Sequence, residues 1–358
     1  MINLQGFLTP IAFWLGLITP PAPPPSDPPT VTILCYHTFD TALPSAFNLA
    51  SGRFEEQMRY LWVQKIPVIS LDDAVAHLRL GKPIPDGSVV ITIDDGYKSA
   101  RTVAWPILQK YGFPFTLYVY PAAISKLRSA LTWHDLRYLS AMGVDIQSHT
   151  LTHPLLTHPK KAMSPQEYAV WLDKELGESR RILQDELKKP VRHLAYAYGG
   201  YNEHVVSRVQ AAGYWSATTC DTANVTRNVK PFMMNRRLVF SDTTTKAFVQ
   251  GLRGRELTLI KQAPRDGEYV AEMPKTIAAQ VVNRAQIIPD TLRIRVDHIR
   301  GAHPVDYHPD TGELRFTIPP TSFRGYFFVT LTAQDRVNPS IRRQATWLFL
   351  TRKNKPKK

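Results

Sequence analysis

Between Val31 and about Leu257, short runs of β-branched and aromatic residues alternate with longer amphipathic stretches. Strands and helices in strict turn pack only as a parallel sheet with helices over it, which points to an α/β barrel. Strands are expected at Val31–Tyr36, Ser88–Ile93, 115–119, 143–147 and 194–198. Helices are expected at 54–65, where Phe54, Met58, Leu61 and Trp62 recur at helical spacing, and at 100–111.

After about Ile260 the texture becomes short alternating runs at 291–296, 314–318, 326–332 and 346–350, separated by turn signals such as Pro309-Asp310-Thr311-Gly312. Strands without helices predict an antiparallel, immunoglobulin-like β-sandwich. No catalytic cluster is visible in it, so it reads either as a binding module for glycan, wall or partner, or as a structural appendage.

The N-terminus carries an apolar run, Gly6 to Ile18, too short to span a bilayer as a regular helix and followed at once by a Pro-rich stretch to Pro29. This is the pattern of a signal peptide or a retained anchor followed by a stiff spacer, although no Lys or Arg precedes the apolar run. The expected organisation is a leader and linker over 1–30, a catalytic barrel over 31–257, a β-sandwich over 258–352 and a basic tail over 353–358. A secreted or cell-envelope location follows, with membrane or wall association through the N-terminus.

The net charge of +14 favours an anionic neighbourhood. The basic residues are scattered rather than interleaved with aromatics, so a nucleic-acid partner is not expected. Cys35 and Cys220 form neither a disulfide framework nor a metal knuckle, and Cys35 lies in a strand-like run that suits a buried free thiol.

Polar residues collect just beyond the expected strands, where loops of parallel α/β folds converge on one face. Asp94 and Asp95 end a buried strand before Gly96. Side chains leave an extended backbone in opposite directions, so one carboxylate can hold a cation while the other takes a proton; the same triplet also makes an ordinary capping turn. His149 and His153 are spaced to project from one side of a helical turn and, with Asp95, match the nitrogen and carboxylate demands of one divalent cation. A third cluster, Tyr196-Ala197-Tyr198-Gly199-Gly200, carries a strand into a glycine turn.

In that order, Thr92-Ile93-Asp94-Asp95-Gly96, Ser148 to His153 and Ala197-Tyr198-Gly199 resemble the first three motifs of the polysaccharide deacetylases of the NodB-homology superfamily. Leu34-Cys35-Tyr36-His37 resembles the strand end of its poly-β-1,6-N-acetylglucosamine deacetylase branch, and the likeness spans about residues 31–250. It implies a distorted (β/α) barrel, an N-acetylated polysaccharide substrate, and one divalent ion held by Asp95, His149 and His153, with zinc favoured and nickel, cobalt or iron as alternatives. It further implies Asp94 as general base and the backbone N–H of Tyr198 as an oxyanion donor.

Two departures from the family pattern matter. The late Leu-x-x-His motif is missing after Phe240, so the branch likeness passes the general-acid role to His37, with His204 as the next candidate. The third motif lacks an arginine; the Asn235-Arg236-Arg237 segment resembles the family's late basic strand, which makes Arg236 the candidate for the group that orients the base, the alternative being a surface arginine pair beside a strand. Tyr97, Trp133 and Tyr201 sit beside the motifs as candidate sugar platforms or core residues. The rival functions are a non-catalytic carbohydrate-binding or adhesion protein on the same scaffold, and an O-acetyl esterase.

Overall fold

The computed structural model describes residues 28–40, 45–159, 163–321 and 325–351. The expected leader over 1–27 and the basic tail from 353 lie outside them. Among the described residues, no helix is long and apolar enough to cross a membrane.

Seven parallel strands form one curled sheet in the order Ser216–Thr218, His193–Ala195, Asp145–Ser148, Thr116–Val119, Ser88–Ile93, Val31–Tyr36 and Arg237–Leu238. Its two ends meet where Met234, just ahead of the last strand, bridges Thr218, so the sheet closes into a distorted barrel. Both faces of the strands are buried, as parallel strands require, except at Asp145 and along the last strand, Arg237–Leu238, which are partly exposed. Val89, Ile91 and Ile93 pack outward with Phe54, Met58 and Leu61 of the helix Ser51–Val63. Val90 packs to the other side with Ile33, Tyr118 and Ala195. By the period of two, Thr92 and then Asp94 follow Val90 on that inner side, so the interior turns from apolar to polar toward the C-terminal strand ends.

Three local expectations differ. The third-motif strand stops at Ala195, and Ala197–Gly199 forms a single 3-10 turn in which Tyr198 takes a left-handed backbone (φ 59°). The expected helix at 100–111 starts as a π-turn, Ala100–Ala104, before the α-helix Trp105–Tyr111. His149 and His153 lie on no helix: the stretch is a loop in which Thr150 and His153 both have positive φ. The buried Glu175 carboxylate shapes it by accepting from the amides of Leu151 and Thr152 and from the Thr152 hydroxyl.

A separate β domain follows, made of a six-stranded and a four-stranded sheet. Its longest strands, Tyr326–Gln334 and Arg342–Thr351, pair antiparallel, while the short strands Arg255–Glu256 and Glu268–Val270 pair parallel with Arg342–Thr351. Its sheet thus begins at Arg255, three residues ahead of the expected boundary. Ile277, Ile294, Phe327, Val329, Trp347 and Phe349 fill its core.

Barrel and β domain are bonded together. Gln344 Nε2 and Thr346 Oγ1 both donate to the Thr222 carbonyl, and Arg237 reaches Asn224 and Gln344. Tyr201 Oη stands 2.7 Å from Asp221 Oδ2 and 2.7 Å from Asp266 Oδ1. One phenol has one proton to give, so one of these contacts needs a carboxyl proton. Burial raises both carboxyls above their ordinary range, and for Asp221 the Asp266 charge adds to it; Lys230 opposes the rise at Asp266.

A raised folded-state pKa means that the folded protein keeps a proton which the unfolded chain releases near pH ~4, so this site's contribution is intact at low pH and is lost as pH rises. Asp266→Asn should therefore gain melting temperature relative to the parent as buffer moves from about pH 5 to about pH 8. A difference that does not change with pH would contradict the shared proton.

Candidate metal centre

At the C-terminal strand ends, Asp94 has its amide bonded to the Tyr36 carbonyl and its carboxylate inside the barrel, 2% exposed. Arg236, wholly buried, meets it as a fork: Nη1 lies 2.7 Å from Oδ1 and Nη2 2.8 Å from Oδ2. The guanidinium is itself held by the Thr219 carbonyl at 3.0 Å and lies over the Tyr118 ring. Burial pushes the Asp94 carboxyl up, but Arg236 and then His149 overcome this and hold it far below the usual carboxylate range. Asp94 is thus favoured in its ionised form.

Asp95 occupies a left-handed conformation (φ 72°), and Gly96 follows with φ 69°. A side chain at Gly96 would put Cβ 2.9 Å from Val119 Cγ1, so the tight turn that swings Asp95 away from Asp94 needs glycine there. Asp95 Oδ1 lies 3.5 Å from His149 Nε2 and 3.2 Å from His153 Nε2. Neither contact has hydrogen-bond geometry, and Oδ1 is a buried oxygen without a hydrogen-bond partner. Burial acts to raise the Asp95 carboxyl, but the two imidazoles draw it below its ordinary value.

His149 Nδ1 donates to the Ala195 carbonyl at 2.8 Å, which fixes the tautomer and leaves the Nε2 lone pair facing Asp95. Burial pushes its pKa down to about 4, against the pull of Asp94. One ligand atom each from Asp95, His149 and His153 lies within 4.8 Å of the others. A bare carboxylate oxygen and a neutral imidazole with its lone pair presented form the donor set that a borderline divalent ion takes, so the residues fit one.

His37 caps the first strand, its ring against Phe47 at 4.4 Å between centroids, with a buried Nδ1 that has no hydrogen-bond partner. Burial lowers its pKa, opposed by Asp94 and Asp95. Tyr198 is half-exposed, its ring 4.7 Å from that of His153. Asp95, Thr150, His153 and Tyr198 are all non-glycine residues with positive φ, and such backbone strain gathers at sites where geometry is over-determined.

These groups line one cavity of about 790 Å³ that includes His37, Asp94, Asp95, His149, His153 and Tyr198. Arg236 lies behind it, on Asp94. Of the candidate sugar platforms, Tyr97 is in the wall, whereas Trp133 packs on the barrel core and Tyr201 is buried at the domain junction. His204 stands outside the cavity against Tyr168. Cys35, a free thiol as expected, donates to Asp94 Oδ2 at 3.5 Å, and Cys220 is also free. The sequence reading passed over Glu175 and the β-domain residues of the wall; nothing marks Glu175 among 30 acidic residues.

Residues 81–217, which hold both aspartates, both histidines and Tyr198, match the family model described as polysaccharide deacetylase. Over that span the chain is similar to the polysaccharide deacetylases. It is similar to YxkH of Bacillus subtilis (strain 168), 24% identical over 221 residues that cover 62% of this chain and 75% of that one. It is also similar to the poly-beta-1,6-N-acetyl-D-glucosamine N-deacetylase of Staphylococcus aureus (strain MRSA252), 23% identical over 201 residues, 55% of this chain and 69% of that one. Among solved structures, the Streptococcus pyogenes deacetylase PplD in complex with acetate superposes with a TM-score of 0.57 at 21% identity, covering 63% of this chain and 99% of that one. His37 and Arg236 lie outside the span matched to the deacetylase model, so their place in the site rests on this structure.

The fork makes a stability test of the barrel. Arg236→Leu leaves the Asp94 charge buried and unpaired, and should lower unfolding free energy by about 3–5 kcal/mol in denaturant titration. Combining it with Asp94→Asn should recover part of that loss. Equal stability of Arg236→Leu and the parent would show that Asp94 reaches water or a proton in its place.

Proposed function

We propose that this chain is a divalent-metal-dependent N-deacetylase that hydrolyses N-acetyl groups of an extracellular or cell-surface polysaccharide, poly-β-1,6-N-acetylglucosamine being the class favoured by the relatives. The observation that carries the reading is the convergence of Asp95, His149 and His153 beside an independently held carboxylate, Asp94, in one open cavity. Asp95, His149 and His153 would hold the ion. When bound, it supplies the Lewis acidity that polarises an acetamide carbonyl and acidifies water. Zinc suits two imidazoles and a carboxylate with open positions left over.

Asp94 accepts the proton of the attacking water, its orientation fixed by the Arg236 fork. The Tyr198 backbone N–H, carried on its left-handed turn, is the candidate donor to the developing oxyanion. His37 enters the same cavity from the C-terminal end of the neighbouring strand and donates a proton to the departing amine; its tilted packing against Phe47 restrains the ring. Such a substrate lies outside the cytoplasm, which agrees with the apolar N-terminal run and Pro-rich spacer of the sequence.

The test is acetate release, with appearance of free amines, from N-acetylated glycans incubated with purified protein and added divalent ion. His149→Ala and His153→Ala should lose the ion. Asp94→Asn and His37→Ala should keep it and lose turnover by about 10²–10⁴-fold. Acetate without new amines would indicate an O-acetyl esterase, and glycan binding without acetate an adhesion protein. Parent-like ion content in both histidine variants would remove the ligand assignment.

A further inference from the structure

The β domain presents an unusual outer face. Phe327, Val329 and Leu331 fill the domain's own core, so by strand alternation Tyr326, Phe328 and Thr330 point away from it. The outward face of a sandwich strand is ordinarily solvated and polar. Here Tyr326 and Phe328 are half-buried and pack on the barrel's core cluster. Together with Arg295, Asp297 and Thr346, they line the same cavity as Asp94, Asp95, His149 and His153. The face is fixed in place, since Thr346 donates to the Thr222 carbonyl at 2.9 Å and Asp266, which accepts from the Leu348 amide, stands 2.7 Å from Tyr201 Oη of the barrel.

A second cavity, of about 550 Å³, adjoins the first and shares His153, Tyr198 and Tyr326 with it. Tyr198 from the barrel and Tyr326 from the β domain therefore flank the passage between the two. Beyond it lie Leu155, His158 and Trp171, with Tyr168 stacked on Trp171 at 5.9 Å between centroids. No carboxylate lines this second cavity among the described residues, while Asp95 and Asp94 are engaged in the first. Aromatic faces without a counter-charge, next to a cation site in a chain of net charge +14, suit an uncharged sugar and disfavour an ammonium group.

We propose that the β domain supplies the far wall of the substrate cleft, and that the groove running past Tyr198 and Tyr326 to Trp171 is a subsite for the adjoining, still acetylated sugar of the polymer. The identity of the bound sugar rests on the deacetylase reading. Tyr326 is on this account a substrate-positioning residue contributed by a domain outside the barrel.

The experiment measures equilibrium binding and acetate release with β-linked N-acetylglucosamine oligomers of increasing length, on the full chain loaded with divalent ion. Affinity should tighten from the monosaccharide to the trisaccharide. Tyr326→Ala should flatten that gain by on the order of tenfold and raise KM more than it lowers kcat, while Tyr326→Phe, which keeps the ring face, should restore it. Val337→Ser, at an 88% exposed position of the same domain, should change neither value. Should Tyr326→Ala fail to fold, Trp171→Ala on the barrel side carries the same expectation. Parent-like length dependence in a folded Tyr326→Ala protein, or no binding of any oligomer by the parent, overturns the subsite. Length-dependent binding without acetate release would instead refute the deacetylase reading and leave the subsite standing.

Discussion

A fully buried guanidinium facing a fully buried carboxylate is the constraint around which the barrel's catalytic face is organised. Neither Arg236 nor Asp94 could be taken from water alone, because an unpaired buried charge is strongly destabilising. Paired as a two-bond fork they are tolerated, and the pair joins the second strand of the barrel to its last. That join fixes Asp94 toward the interior, so the glycine turn after it must carry Asp95 elsewhere, toward the two imidazoles. The division of labour between adjacent carboxylates follows: one bound to a permanent cation in the protein, the other left with an oxygen that has no hydrogen bond.

Burial also decides what could be read from the sequence. Buried parallel strands announce themselves as unbroken apolar runs, and Val31–Tyr36 and Ser88–Ile93 end where the runs end. The three motifs were visible because polar residues placed just beyond such runs have few other reasons to be there. Arg236 was harder, since Arg236 and Arg237 are adjacent and only strand register decides which turns inward. In the structure Arg236 goes to Asp94 and Arg237 to Asn224. The histidine loop was misread as helical because a spacing of four looks helical; the loop is instead gathered by Glu175, a long-range contact with no local signature.

The β domain was legible as a sandwich but not as part of the cleft. Alternation along Tyr326–Gln334 shows that two faces exist, and only the docked structure shows what covers the second. Docking runs through Thr222, two residues beyond Cys220 in the cavity wall, and through Tyr201, Asp221 and Asp266 behind it. The joint between domains thus lies within a few residues of the candidate catalytic groups. A separate domain attached so close to a barrel's open face closes one side of it, and a polymer entering must run along the groove left between them.

The central claim is that one divalent ion sits between Asp95, His149 and His153. The most direct measurement is an anomalous-difference map from crystals grown with zinc. The account predicts a single strong peak about 2.0–2.2 Å from Asp95 Oδ1, His149 Nε2 and His153 Nε2. A map with no peak there, or with the ion bound by Cys35, His37 and Asp94 instead, would contradict it.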